Sequence, residues 1–301
     1  MWRGPTTRRG RILLRVVFYA AVVLGVLPWV FSSLMLSPHR QPTRGPEPDF
    51  EEAWLHSEGL RLRSWFLPSA GDGPAVVLLH GLGDSIESYA DVARRWARRG
   101  HPALLVELRG HGRSQGRHTT LGGLERHDVE AGILALGARG LLARGVVLSG
   151  VSMGAVAALH AAAGRDDVRA VIAEAPYDNY RETMLHHAKL LYGLPRWLPL
   201  VSISVAFAEW RAGFDAEAID SVAAVRRIHA PLLLIVDGAD PRMPEPVVRR
   251  ILDAHPGPKR LWVAAGEPHA GASWNPSYWP TVESFLAEGG IASNAAPAPV
   301  P

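Results

Sequence analysis

The sequence predicts an α/β protein: a mostly parallel, doubly wound sheet with a helical cap insertion, preceded by one N-terminal transmembrane helix. Three observations carry the prediction. From residue 75 onward, six short apolar runs (76–79, 103–106, 146–148, 168–173, 232–236 and 261–263) alternate with segments of helical periodicity. Runs apolar on both faces suit strands buried between two helical layers, and the intervening helices suit crossovers. Nearly sixty residues separate the fourth run from the fifth, far more than the few that ordinarily join neighbouring elements. Finally, residues 16–36 run for 21 positions without a charge.

Whole-chain quantities agree with one large domain plus an extension. The chain has 301 residues and 48% apolar composition, ample for a single core of roughly 250 residues. It has no cysteine, which excludes disulfides, thiolate catalysis and cysteine-ligated zinc or iron–sulfur sites. The pI near 9.5 invites a nucleic-acid reading. The charge distribution argues against it: residues 1–44 hold Arg3, Arg8, Arg9, Arg11, Arg15, Arg40 and Arg44 and no acid. Removing those seven from the 32 basic residues leaves 25 against 29 acidic ones, a net charge of −4 for the remainder. The expectation is therefore no nucleic-acid partner.

Taken in chain order, residues 1–15 form a basic tail and residues 16–36 a signal anchor. Twenty-one residues at about 1.5 Å each cross a hydrocarbon core of about 30 Å. A cleaved signal peptide usually has a shorter apolar region and a small-residue cleavage site, and neither is evident at residues 32–37. Arginines precede the span and acids (Glu47, Asp49, Glu51, Glu52) follow it, so the N-terminus is expected in the cytoplasm and the domain on the other side. Residues 37–51 are a Pro-rich linker. Residues 52–67 have strand-like stretches broken at Glu58-Gly59, an antiparallel hairpin. Helices are expected at 86–99, 124–138, 155–163, 246–254 and 278–286. The insertion, about residues 178–218, is rich in aromatic and leucine side chains and suits a cap that packs on the domain or lines a pocket. Residues 288–301 are Ala/Pro-rich and expected to be disordered.

The candidate chemistry centres on Gly150-Val151-Ser152-Met153-Gly154, between an apolar run and a small-residue helical run. A serine flanked by glycines at a strand-to-helix junction can be held on a sharp turn that presents its hydroxyl. Serine catalysis also needs a base, a group to orient the base, and donors for an oxyanion. His80-Gly81-Leu82-Gly83 follows the first parallel run, where glycines let the Leu82 N–H join the Met153 N–H on a substrate carbonyl. His80 itself, immediately before the turn, reads as a structural histidine. Asp237 and Asp240 follow the fifth run; Asp240 lies further out on its loop and is the better orienting acid, with Asp237 the second choice. His269 follows the last run, in Gly266-Glu267-Pro268-His269-Ala270-Gly271. Adjacent His186-His187 lacks metal-ligand spacing and reads as surface or cap polarity. No metal or cofactor is expected.

These segments carry a resemblance. With HGLGDSIESY (80–89), ELRGHGRSQG (107–116), TTLGGLERHDV (119–129), GVSMGA (150–155), IVDGADPRMP (235–244) and GEPHAG (266–271), residues 52–287 resemble the α/β-hydrolase superfamily, in its monoacylglycerol-lipase-like and serine-aminopeptidase-like branch. The resemblance implies Ser152 as nucleophile, Asp240 as acid, His269 as base, and Leu82 and Met153 as oxyanion donors. Three positions depart from the family pattern: Glu107 replaces an Asp, Asp237 replaces a turn Gly, and Pro268 precedes the histidine where a small residue is usual. The expected activity is hydrolysis of ester or thioester bonds in small apolar acyl substrates through an acyl-enzyme on Ser152. A peptidase or amidase of the same fold is the alternative within this chemistry, and a non-catalytic tethered binding or scaffold protein the alternative outside it.

Overall fold

The computed structural model describes residues 7–291. Its centre is an eight-stranded sheet of β1 (Glu51–Ser57), β2 (Leu60–Leu67), β3 (Ala75–Leu79), β4 (Ala103–Val106), β5 (Val146–Val151), β6 (Val168–Glu174), β7 (Leu232–Asp237) and β8 (Lys259–Ala264). The spatial order is β1-β2-β4-β3-β5-β6-β7-β8. Only β2 runs against its neighbours, β1 and β4; every other pairing is parallel. The β1–β2 hairpin turns on Glu58 and Gly59, both at positive φ (47° and 79°), which matches the right-handed twist of the strands it joins.

Strand pleating explains the unbroken apolar runs. Val77 and Leu79 of β3 share a core with residues of α4 (Glu125–Ala138), α5 (Met153–Ala162), α8 (Ser221–Val225) and α9 (Glu245–Ala254). Val76 and Leu78 point to the other face, with α3 (Ala90–Arg98) and α10 (Tyr278–Glu288). Both faces are covered, so alternate residues have no reason to be polar. The edge strands β1 and β8 are the exceptions, both partly exposed, and β8 opens with Lys259 and Arg260, charges that discourage pairing with another chain. In the middle, α5 buries nine of its ten residues between the sheet and its neighbouring helices, which its run of alanines permits.

The cap consists of α6 (Tyr180–Tyr192) and α7 (Leu200–Ala212). Its stem closes where Asn179 bridges Asp220 and the Ser221 N–H donates to the Asp178 carbonyl at 2.9 Å. After this stem, α8 returns the chain to the sheet.

At the N-terminus, one apolar helix runs from Arg8 to Leu36, eight residues longer than the uncharged stretch implies, so the basic tail is helical from Arg8 onward. It comprises α1 (Arg8–Ala21), a π-helical turn (Val22–Val26) and α2 (Leu27–Leu36). The wide turn lies just before Pro28, which has no N–H to continue the ladder. Most of the helix is exposed, but α2 packs on the cap. Trp29 lies 6.0 Å from Phe207 and 6.3 Å from Trp210, ring centre to ring centre, and Phe31 lies 5.6 Å from Tyr192. The Arg211 guanidinium donates to Ser32 Oγ and Ser33 Oγ, 2.7 Å each.

The two margins of the domain are held by contacts of their own. The linker lies along the domain: Arg40 donates to the carbonyls of Gly112, Ser114 and Gly116 at 2.7 to 2.9 Å, a charge-assisted clasp that Pro-rich composition does not announce. The chain also stays ordered beyond residue 288, because buried Ile291 packs into the cluster of Phe285 and Leu286. The rest of the tail expected to be disordered, residues 292–301, falls outside the described residues, as does the start of the basic tail.

Candidate active site

The parallel sheet delivers the loops that follow β3, β5, β6, β7 and β8 to one edge, and the candidate residues meet there. Ser152 links β5 to α5 with φ 52° and ψ −114°, a conformation costly for a side chain with a Cβ, on the order of 1–3 kcal/mol. The flanking glycines allow it. A Cβ on Gly154 would come within 2.5 Å of the Leu79 carbonyl oxygen and 2.6 Å of the His80 carbonyl oxygen, and one on Gly150 would overlap the Gly154 carbonyl. The Ser152 N–H donates to the Glu174 carbonyl at the end of β6, 2.8 Å away, which holds the turn against the sheet.

Asp240 and His269 pair across their loops, with Nδ1 of His269 2.6 Å from Oδ2 of Asp240. The other carboxylate oxygen of Asp240 accepts the Arg242 N–H at 2.8 Å. Burial opposes charge on Asp240, but the His269 hydrogen bond and charge, with the Arg242 and Met243 N–H groups, outweigh it and hold its pKa below the usual aspartate value. An ionised Asp240 can only accept, so His269 donates to it from Nδ1.

Ser152, Met153, Leu82 and His269 all line one cavity of about 400 Å³ under the cap. As the first residue of α5, Met153 has an N–H with no acceptor inside the helix. Leu82 sits in the turn closed by the Asp84 N–H on the Gly81 carbonyl, 3.3 Å. That turn is positioned by two buried histidines. His80 accepts the Leu108 N–H on Nε2 (3.1 Å) and therefore donates from Nδ1 to the Gly81 carbonyl (2.8 Å). His111 accepts the Gly83 N–H on Nε2 at 3.0 Å. Burial, with the His111 charge, pushes the His80 pKa down to about 3, so it works as a neutral brace.

The departures from the family pattern have local reasons. Glu107 reaches into the next turn and accepts the Arg113 and Ser114 N–H groups at 2.6 and 3.0 Å; Gly112 leaves the space, since a Cβ there would overlap the carboxylate. Asp237 accepts the Ala270 N–H at 2.8 Å, beside the histidine. Glu174 accepts the Ala272 N–H at 3.0 Å, two residues on. Burial, and then the charge of Asp237, raise the Glu174 pKa well above the usual glutamate value, so Glu174 keeps a proton to share with Asp237. Glu267, before Pro268, accepts the Ala239 N–H on its carbonyl at 2.9 Å, tying the histidine loop to the aspartate loop.

Asp237, Asp240 and His269 also bring ligand atoms within 4.8 Å of one another, a spacing a cation can use. Oδ2 of Asp240 and Oδ2 of Asp237 are already engaged by Nδ1 of His269 and the Ala270 N–H. Oδ1 of Asp237 is buried with no hydrogen-bond partner among the described residues.

One residue departs from its sequence expectation. His187 lines the cavity, and its Nε2 has no partner among the described residues. Burial, then the neighbouring His186 and Arg242 charges, lower its pKa to about 4, so it faces the cavity neutral. Its neighbour His186 reaches out to the Pro241 carbonyl at 2.8 Å. Adjacent histidines on a helix point some 100° apart, so a sequence pair of this kind can have one member inside and one outside. Glu174 also escapes sequence reasoning, since nothing near it in the chain marks it as part of the site.

Comparison with known proteins agrees with this architecture. The family model of serine aminopeptidase S33 matches residues 73–207. The Bacillus subtilis protein YqkD is 28% identical over 220 residues, covering 70% of each chain. The Mycobacterium tuberculosis protein Rv2307c is 26% identical over 272 residues, 87% of this chain and 89% of that one. Among solved structures, the Pyrococcus furiosus esterase Pf2001 superposes with a TM-score of 0.67 at 23% identity, over 84% of this chain and 98% of the esterase.

The chain has the α/β-hydrolase fold, with a mostly parallel eight-stranded sheet and one N-terminal helix long and apolar enough to span a membrane.

Proposed function

Given the α/β-hydrolase fold, we propose that the protein is a membrane-tethered serine hydrolase that cleaves ester or thioester bonds of apolar acyl substrates. One observation carries the reading: a strained Ser152 shares an apolar cavity with His269, whose Nδ1 is held 2.6 Å from a buried carboxylate. The Pyrococcus furiosus relative in fold, described as an esterase, supports it.

In the proposed reaction His269 Nε2 takes the Ser152 hydroxyl proton as Oγ bonds to the substrate carbonyl carbon. The Leu82 and Met153 N–H groups stabilise the oxyanion. The C–O or C–S bond to the leaving group breaks, and His269 returns the proton to the departing alkoxide or thiolate. Water then adds to the acyl-enzyme with His269 again as base, and the acid leaves as Ser152 regains its proton. The Arg8–Leu36 helix is the tether, with its arginine-bearing end in the cytoplasm and the hydrolase domain outside.

Fluorophosphonate labelling tests the core of this reading. Wild type is expected to label and Ser152→Ala not to; labelling that persists in the variant overturns the assignment. Absence of any labelling and turnover in wild type favours the tethered binding protein. A peptidase or amidase is supported by the serine aminopeptidase family model and is distinguished by comparing p-nitrophenyl esters with aminoacyl anilides. Protease applied to intact cells tests the topology: cleavage of the domain is expected, and full protection overturns it.

A further inference from the structure

The apolar helix does more than precede the domain, because its last turns line the cavity that holds Ser152. Phe31, Leu34 and Met35 of α2 line it together with Met184 and Leu191 of α6. The helix is fixed in that place. Leu36 is fully buried and its carbonyl accepts the Thr119 N–H at 2.9 Å, while Thr119 Oγ1 reaches the sulfur of Met153 at 3.2 Å. Arg211 ties Ser32 and Ser33 to the cap and stacks on Trp29, 4.3 Å above the ring.

Helix geometry then sets the height of the cavity relative to a bilayer. Counting from Arg15, the last arginine of α1, a hydrocarbon core of about 30 Å at about 1.5 Å per residue is crossed some 20 residues later, at the level of Leu34 and Met35. The cap carries interfacial side chains within about two helical turns of that level. Tyr192 packs on Phe31 and Trp210 packs near Trp29, and they are 58% and 73% exposed; Trp197, in the connection between α6 and α7, is 81% exposed. Exposed Trp and Tyr concentrated at one end of an apolar helix mark the water–lipid boundary. Leu34, 62% exposed, and Leu191, 59% exposed, line the cavity and also face outward, so they border its opening.

From this we infer that the tether is a wall of the acyl site, and that the substrate is a long-chain acyl ester of the outer leaflet whose chain enters the cavity directly from the bilayer, between α2 and α6. The inference rests on the hydrolase reading above and assigns its substrate class and route of entry. Phe31, Leu34 and Met35 become determinants of chain-length preference, although they lie more than a hundred residues before Ser152. A fatty chain that moves from lipid tails to an apolar cavity never has to cross water, so lengthening it adds no cost of exposing methylenes.

The test uses the full chain reconstituted in phosphatidylcholine vesicles, with 4-methylumbelliferyl oleate in the membrane and 4-methylumbelliferyl butyrate in the water phase. Leu34→Trp, which fills the opening, is expected to lower the ratio of oleate to butyrate kcat/KM at least tenfold. Met35→Ala, which enlarges the site, is expected to raise it. Phe18→Ala, on the exposed part of the helix away from the cavity, is expected to leave the ratio within twofold. Diluting oleate ester with more phosphatidylcholine at constant bulk concentration is expected to slow wild type in proportion to its mole fraction in the membrane. Unchanged ratios in both cavity variants overturn the wall, and a rate that follows bulk concentration overturns entry from the bilayer. Fluorophosphonate labelling of Ser152 is read in parallel. Wild type that neither labels nor turns over butyrate overturns the hydrolase reading itself, whereas normal labelling with unchanged ratios overturns the present inference alone.

Discussion

Replacing Asp240 by asparagine separates the two carboxylates that compete for the role of orienting acid. The Arg242 N–H donates to Oδ1 of Asp240 at 2.8 Å, so the amide oxygen of the substituted side chain will keep that position. The amide nitrogen then replaces Oδ2, 2.6 Å from His269 Nδ1, where it can only donate. Nδ1 must become an acceptor, the ring proton moves to Nε2, and the imidazole cannot take the Ser152 proton. A wrong tautomer of this kind costs about 10⁴-fold in kcat, or about 5 kcal/mol of transition-state stabilisation. Asp237→Asn differs: its Oδ2 accepts a backbone N–H from Ala270, which an amide oxygen also accepts, so the loss is expected to be about tenfold or less. The assay is p-nitrophenyl butyrate hydrolysis at neutral pH, with circular dichroism and melting temperature confirming the fold of both variants. A loss below a hundredfold in folded Asp240→Asn, or a larger loss in Asp237→Asn, would refute the assignment of Asp240.

Three other outcomes follow from the geometry. Gly154→Ala places a Cβ 2.5 Å from the Leu79 carbonyl oxygen, and backbone cannot rotate away, so destabilisation of at least about 3 kcal/mol and a melting-temperature fall of several degrees are expected. Gly45→Ala, with nothing within 4 Å, is the control expected within about 0.5 kcal/mol of wild type, and equal melting temperatures for the two would disprove the close-approach argument. Glu174 has a folded pKa above its unfolded one, so its stabilisation is complete below the ordinary glutamate value and is lost as pH rises toward the folded value. Glu174→Gln keeps a neutral acceptor for the Ala272 N–H, so its melting temperature should fall less than that of wild type from pH 5 to pH 9; parallel curves would refute a protonated Glu174. Arg40→Ala removes donors to three loop carbonyls, and faster hydrogen exchange at residues 37–44 with unchanged exchange in β5 is the expected result. Unchanged exchange in the linker would show that the clasp does not hold it.

Much of the fold was legible because its signals are local. An apolar run of three to six residues, a helical period, a Glu-Gly turn and a glycine-flanked serine each lie within a short window, and a parallel sheet sends the residue after each strand to one edge. Asp240 and His269 could therefore be picked out by their position after β7 and β8. What escaped were interactions between segments distant in sequence. The expected polar pair His186-His187 divides, one ring outward and one into the cavity, because the side of α6 that faces Ser152 is set by how the cap lies on the sheet. Glu174 looks like a strand-end residue until Asp237 and the Ala272 N–H, 63 and 98 positions away, are brought against it.

The sequence by itself determined the element order, the chemistry available at the sheet edge, and the presence of an apolar helix of membrane-spanning length. Those depend on composition and periodicity, which survive without coordinates. Tertiary structure decided what that helix and its linker touch: α2 docks on the cap and borders the cavity, and Arg40 clasps the loop after β4. An apolar helix carries the same sequence signal whether its neighbours are lipid tails or a cap, because both are equally apolar. Only the packing of Trp29, Phe31 and Leu36 against residues more than eighty positions away tells the two apart.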